Sequence, residues 1–247
     1  PTSNPSNYRP ISLTCTCCRI MEKIINKTMQ HYLIEHNLIS RHQHGFLQSR
    51  STSTNLLECV SDWSLSMEER RRTDIIYFDF KKAFDAVPHI RLLTKLAAYG
   101  ICGNTLIWIK NFLIGRSQQV RVGSQKSGGA DVLSGIPQGS ILGPILFTIF
   151  INDLPEMLES TCKIFADDTK LYDLASNNKS LQNDIFKLQE WSDKWNLYFN
   201  VTKCNVMHIG KRNPEYEYEM KVSNGEQKIN VCESEKDLGV TFQSSLK

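Results

Sequence analysis

No run of apolar residues in the 247-residue chain is long enough to cross a membrane. The longest, from Ile141 to Ile151, is broken by Gly143, Pro144 and Thr148, whereas a spanning helix needs about 20 predominantly apolar residues. A secretory signal is also missing. The chain starts at Pro1 without a methionine and stops just past an apparent strand, so a piece of a longer polypeptide is expected. Cys15, Cys17 and Cys18 crowd together, yet no paired Cys-x-x-Cys and no His-x-x-x-His accompanies them, which argues against a structural zinc. The eight scattered cysteines therefore read as reduced thiols of a cytosolic or nuclear protein. Charge of one sign is scarce, with a net charge of +3. Residues 1–72 carry nine Lys/Arg against six Asp/Glu, a bias that permits a nucleic-acid partner without requiring one. The glycine-rich stretch at 134–140 lacks the Gly-Lys-Ser/Thr ending of a phosphate loop. Repeats and low-complexity segments are lacking too.

What is present is organised around Lys163-Ile164-Phe165-Ala166-Asp167-Asp168-Thr169-Lys170-Leu171-Tyr172. β-Prone apolar residues flank two adjacent carboxylates, a pattern that predicts a hairpin with Asp167 and Asp168 at its tip. Like charges on an apolar support are costly unless a cation neutralises them. A bare Asp-Asp turn is the alternative, and the rest of the chain decides between them. Residues 74–80 form a largely apolar run ending in Asp79 and Phe80, the pattern of a central buried strand.

Upstream, residues 7–13 read as extended, because the residue before Pro10 avoids the helical region. A helix is predicted over 17–36, with Ile20, Met21, Ile24, Ile25, Met29, Tyr32 and Leu33 as its core stripe. The Ser/Thr-rich loop around Arg50 feeds a second helix carrying Leu56, Leu57, Val60, Trp63 and Met67. An arginine there can grip phosphate by its planar fork, or sit in a capped, solvated turn. Glu68-Glu69-Arg70-Arg71-Arg72 reads as a solvated face or linker. Helices are predicted over about 88–99 and 104–114, closed by Gly100 and Gly115, then a hairpin from 118–122 and 130–133. The loop at 134–140, whose glycines let backbone approach a flat ligand, runs into a helix to about Leu158. An amphipathic helix follows on Leu181, Ile185, Leu188, Trp191 and Trp195. Strands at 197–200 and 205–209 bracket Lys203, and a strand pair ends near 236–240.

Taken in order, residues 78–85 (Phe-Asp-Phe-Lys-Lys-Ala-Phe-Asp), 135–140 (Gly-Ile-Pro-Gln-Gly-Ser) and 165–168 (Phe-Ala-Asp-Asp) closely resemble the three core motifs of reverse transcriptases. Asn7-Tyr8-Arg9-Pro10-Ile11-Ser12-Leu13 and Gln43-His44-Gly45-Phe46 look like the N-terminal blocks of non-LTR, LINE-type enzymes, nearest to jockey-like elements. The resemblance covers almost the whole chain. It implies an α+β right-hand polymerase fold, an antiparallel palm sheet with helices and a fingers subdomain, the thumb being absent. Residues 1–72 would be fingers, and 73–247 palm with inserted fingers elements, truncated before the thumb.

The resemblance further implies RNA-directed DNA synthesis from a DNA primer with dNTPs, through two Mg²⁺ ions, with Mn²⁺ as a substitute. Asp79 and Asp167 would bridge both ions, Asp168 would support the ion at the primer 3′-OH, and the Phe80 carbonyl would be a further ligand. This requires Asp79 to meet the pair across 88 positions. Phe84 would be the plate that rejects a 2′-hydroxyl, or else a core residue. Gln138 and Gly139 would line the nucleotide, Arg50 would hold the triphosphate, Lys203 would protonate pyrophosphate, and Leu238 and Gly239 would hold the primer end. Asp85 is left out of the metal site as a turn cap. Expected partners are RNA template, DNA primer and the rest of a retrotransposon polyprotein with its endonuclease and thumb, without a membrane. The expected location is the nucleus, after a cytoplasmic ribonucleoprotein stage. An inactive nucleic-acid-binding relative and an RNA polymerase of the same palm fold are the alternatives.

Overall fold

Six consecutive buried residues, Thr73–Phe78, form the central strand of the protein, as a nearly continuous apolar run bounded by charge dictates. A computed structural model describes residues 11–222 and 225–246. Within the expected segment 7–13, residues 7–10 lie outside the described residues, while 11–13 are neither helix nor strand.

In chain order the elements are α1 (Thr16–Glu35), α2 (Thr52–Glu68), β1 (Thr73–Phe78), the single turn α3 (Ala83–Ala86), α4 (His89–Ala98) and α5 (Gly103–Leu113). Four two-residue strands follow: β2 (Ser117–Gln118), β3 (Arg121–Val122), β4 (Gln125–Lys126) and β5 (Ala130–Asp131). Then come α6 (Gly143–Ile151), β6 (Thr161–Phe165), β7 (Asp168–Leu174), α7 (Asn178–Trp195), β8 (Asn205–Ile209), β9 (Glu219–Val222), β10 (Gly225–Lys228), β11 (Asn230–Val231), β12 (Ser234–Asp237) and β13 (Val240–Gln243).

The chain divides into two compact units, residues 1–38 with 82–150 and residues 39–81 with 151–247.

The second unit holds a five-stranded sheet in the order β11-β8-β1-β7-β6, antiparallel except for the β11–β8 pair. On one face, Cys59 and Trp63 of α2 pack with Ile75, Tyr77, Tyr172, Met207 and Ile209, and Trp63 meets Tyr172 edge to face at 5.8 Å. On the opposite face Phe78 lies 5.3 Å from Phe199. The alternation follows from the two-residue period of a strand.

In the first unit α1 buries Ile25, Met29 and Leu33, but Ile20, Met21 and Ile24 are 56%, 42% and 56% exposed. Only one turn-spaced row of the expected stripe is therefore core; the apolar stripe is wider than the surface that covers it. Glu22, fully buried on the same helix, accepts the amides of Ile141 and Leu142 at 2.7 and 3.0 Å, ahead of α6. The helix expected to reach Leu158 stops at Ile151. Pro155 follows within four residues and starts a separate 3₁₀ turn, consistent with its inability to continue a helix.

Candidate functional site

The Asp-Asp hairpin forms as expected, but its two carboxylates occupy different places. β6 and β7 pair from Thr161↔Tyr172 to Phe165↔Asp168, so Ala166 and Asp167 make the turn and Asp168 opens the returning strand. Ala166 takes φ 55°, the left-handed conformation that tight hairpins require.

The register of β1 fixes what Asp168 faces. With Thr73↔Leu174 through Phe78↔Thr169 paired, one further step brings Asp79 opposite Asp168. On the other flank β1 pairs with β8 from Thr73↔Ile209 through Tyr77↔Asn205, and Lys203 ends a 3₁₀ turn just ahead of β8. Lys203 Nζ stands 3.9 Å from the Asp79 carboxylate. Asp79, Asp168 and Lys203 line one cavity of about 480 Å³ with Lys170, Glu235 and Asp237.

The electrostatics follow from this crowding. The Asp168 carboxyl is pushed up to about 6, first by desolvation among the surrounding atoms and then by the negative charges of Asp167, Asp237 and Asp79. Lys170 opposes the shift. The residue is nonetheless exposed at the cavity mouth, so its desolvation is incomplete.

This donor set fits a divalent cation by its chemistry: hard carboxylate oxygens in excess of the local positive charge. Phe80 adds a carbonyl. Its bridge to Phe199 uses the Asp79 carbonyl, which accepts from Asn200 at 2.6 Å, and the Lys81 amide, which donates to Tyr198 at 2.8 Å; the Phe80 carbonyl stays out of it. The Phe80 ring is buried, stacked on Phe199 at 4.3 Å. Among the described residues, no group of three or more His, Cys, Asp or Glu side chains is arranged to hold a metal ion as it stands.

Sequence reasoning missed a brace beneath the hairpin. Residues 42–44 lie alongside β6: the His44 amide donates to the Ile164 carbonyl at 2.8 Å, and the Ile164 amide to His42 at 3.0 Å. Gln43, fully buried, accepts from the amides of Gly45 and Ala166 at 2.7 and 3.2 Å. A Cβ on Gly45 would lie 2.4 Å from the Ala166 nitrogen, one residue before Asp167. Arg50, expected at a triphosphate, spends its Nη1 on the carbonyls of Ser40, Arg41 and Gln43 and so clamps this brace. The only sequence signal for the brace was the motif Gln43-His44-Gly45-Phe46 itself.

The opposite wall is a hairpin of β12 and β13, with Leu238 and Gly239 at its turn (φ 49° and 91°). At its foot Asp237 is paired with the Lys170 ammonium; the two side chains are 4% and 2% exposed.

The remaining expected residues belong to the first unit. The Phe84 ring, half-buried, stacks on Phe147 at 4.5 Å with 17° between planes. The loop at 134–138 docks on residues 84–87: the Ile136 amide donates to the Phe84 carbonyl at 2.7 Å and the Gly135 amide to Val87 at 2.8 Å. A Cβ on Gly135 would meet the Asp85 carbonyl oxygen at 2.6 Å, so this glycine serves close approach of the chain to itself. Gln138 donates from Nε2 to the Asp85 carboxylate at 2.9 Å, which makes Asp85 a positioning partner of Gln138. Gly139 is exposed, at φ 87°.

Comparison with known proteins places this geometry in a family. The fold is similar to a telomerase from Candida tropicalis truncated from its C-terminal domain, with a TM-score of 0.58 at 13% identity, covering 92% of this chain and 45% of that one. It is also similar to a Candida albicans telomerase solved with a fragment of telomeric RNA, at TM-score 0.59 and 11% identity, covering 89% and 37%. Among curated relatives, the RNA-directed DNA polymerase from mobile element jockey of Drosophila melanogaster is 30% identical over 218 residues, covering 83% of this chain and 24% of that protein. The probable RNA-directed DNA polymerase from transposon X-element of the same species is 28% identical over 223 residues, again 83% and 24%. The chain thus spans about a quarter of the length of these relatives. The family model described as reverse transcriptase (RNA-dependent DNA polymerase) matches residues 1–242, and the chain belongs to that family, with its α+β polymerase fold.

Proposed function

We propose that the protein is the polymerase segment of a non-LTR retrotransposon enzyme, which adds dNTPs to a DNA 3′-OH on an RNA template. One observation carries the reading: Asp79 faces Asp168 across paired strands, with Lys203 on its other flank and a 480 Å³ cavity between them. In this reading the sheet unit is the palm, and the unit of residues 1–38 and 82–150 supplies the fingers.

Asp79, Asp167, Asp168 and the Phe80 carbonyl would hold two Mg²⁺ ions, with Mn²⁺ as a substitute. Bound there, such ions lower the pKa of the attacking 3′-OH and neutralise the leaving pyrophosphate. The chain's own groups do the rest. Lys203 delivers a proton to the pyrophosphate oxygen, a role for which reach matters before pKa. Arg50 holds the triphosphate. Phe84, Gln138 and Gly139 line the nucleotide, and the turn at Leu238 and Gly239 holds the primer end. The enzyme would work as part of a polyprotein with an endonuclease and thumb, at chromosomal DNA in the nucleus after assembling with its RNA in the cytoplasm.

The test is primer extension on an RNA template with dNTPs or NTPs, comparing wild type with Asp79→Asn. Incorporation of dNTPs that Asp79→Asn abolishes in a folded protein supports the reading. Equal extension by both proteins removes Asp79 from the chemistry, and preference for NTPs favours an RNA polymerase.

A further inference from the structure

The run Arg70-Arg71-Arg72 is built into a second cavity, of about 440 Å³, at the other end of the sheet. Its lining includes the three arginines, Ser176, Pro214 and Tyr216. β1 separates it from the aspartates: the arginines precede Thr73 and Asp79 follows Phe78. Five steps along that strand make roughly 17 Å.

The segment is held in place. α2 ends with the Arg70 amide donating to the Met67 carbonyl at 3.0 Å and the Arg71 amide to the Ser66 carbonyl at 2.8 Å, the two hydrogen bonds of a Schellman ending. The Arg72 carbonyl accepts from the Ala175 amide at 2.8 Å, and its Nε donates to Lys211 at 3.2 Å. A Cβ on Gly210 would stand 2.9 Å from the Arg71 carbonyl oxygen, so the loop carrying Lys211 and Arg212 is pressed against the arginines.

Two features separate this pocket from an ordinary solvated charge run. Arg70 sits at φ 56°, the left-handed position where a glycine would end the helix with less strain. Tyr216, 39% exposed, lines the same cavity as the three arginines. Arg71 is partly neutralised by Glu69 at 3.0 Å, which makes Arg70 and Arg72 the stronger cations. Phosphate-seeking forks beside an accessible aromatic face are the elements of a single-strand nucleic-acid site, with the backbone on the arginines and a base on the ring.

We infer that this cavity binds a segment of single-stranded polynucleotide, held by Arg70, Arg71, Arg72 and Tyr216 at a distance from the candidate polymerase centre. The inference rests on the proposed function only for its class of ligand.

The experiment is a fluorescence-anisotropy titration of the full chain with short labelled single-stranded RNA, single-stranded DNA of the same sequence and blunt duplex, across a salt series. Arg70→Gly is the informative variant, because it relieves backbone strain while removing a cation. Its melting temperature should equal or exceed that of wild type, while its single-strand affinity falls about fivefold at 0.1 M salt and its salt slope shrinks by about 0.7. Tyr216→Ala should lose about fivefold or more on single strands and little on duplex. Lys194→Ala, at an exposed lysine elsewhere on the unit, should change neither by as much. Preference for RNA would identify the template as occupant, and preference for DNA the primer strand. Unchanged affinity and slope in a folded Arg70→Gly, an equal loss in the lysine control, or absence of single-strand binding by wild type overturns the inference. Loss of primer extension alone bears on the proposed function and not on this site.

Discussion

Lys170, on the strand that opens with Asp168, is paired with the buried carboxylate of Asp237, 67 residues away at the foot of the hairpin that ends in Leu238 and Gly239. The pair ties the wall of the candidate site to its floor. Removing one partner of a buried pair strands the other charge, so Asp237→Ala should cost about 3–5 kcal/mol in denaturant unfolding. Replacing both, as Lys170→Met with Asp237→Leu, should recover most of that loss. A single variant as stable as wild type would mean that water reaches the pair.

Asp168 gives a pH signature. Its carboxyl is raised from 3.8 to about 6, so the folded state holds a proton that the unfolded state has already lost. The cost of ionising it is absent below the unfolded value and grows as pH rises through about 6. Solvent at the cavity mouth reduces this cost below what the shift alone suggests. Asp168→Asn should raise the melting temperature by about 2 °C at pH 7.5 and leave it unchanged at pH 4. Mg²⁺ should stabilise the wild type more than the variant. Thermal scans at both pH values, with and without Mg²⁺, check this, and an equal gain at pH 4 would assign the effect to packing.

The brace under the hairpin predicts an effect from one methyl group. Gly45→Ala sets a Cβ against the Ala166 amide at 2.4 Å, and backbone has to move. The expected loss is about 1–3 kcal/mol, with a drop in primer extension larger than the drop in folded fraction, because the displaced residue adjoins Asp167. Extension that merely follows the folded fraction would make the brace structural only.

How much of this was legible in the sequence depends on the range over which each signal acts. The hairpin and the central strand were readable because apolar β-prone runs bounded by charge are local patterns, and α1 and α7 because their apolar spacing is. That Asp168 rather than Asp167 faces Asp79 was not readable, since it depends on where two strands 90 residues apart fall into register. Gly45 looked like any loop glycine until the Ala166 backbone came to rest against it. Arg50 shows the same dependence on tertiary structure: only the fold supplies the three carbonyls that its Nη1 takes. Part of the α1 stripe was assigned to the core because helical spacing counts apolar residues without showing how much surface covers them.

Phe84 decides between sugar selection and packing. Its ring stacks on Phe147 and the residue is half-buried, so it has a supporting neighbour without being sealed in a core. A ring against C2′ of a deoxyribose collides with a 2′-hydroxyl, and steric overlap rejects more strongly than one lost apolar contact. Phe84→Val should therefore raise ribonucleotide incorporation relative to deoxynucleotide, mainly through better ribonucleotide efficiency. It should also cost about 1 kcal/mol of stability, the scale of one ring–ring contact. A fully packed core phenylalanine would lose about 3–5 kcal/mol on truncation to alanine, with no change in sugar preference. Measuring kcat/KM for dNTP and rNTP in wild type and Phe84→Val, beside a melting curve, separates the two. A folded variant with an unchanged ratio would leave Phe84 as a packing residue, and the 2′-hydroxyl would have to be rejected elsewhere.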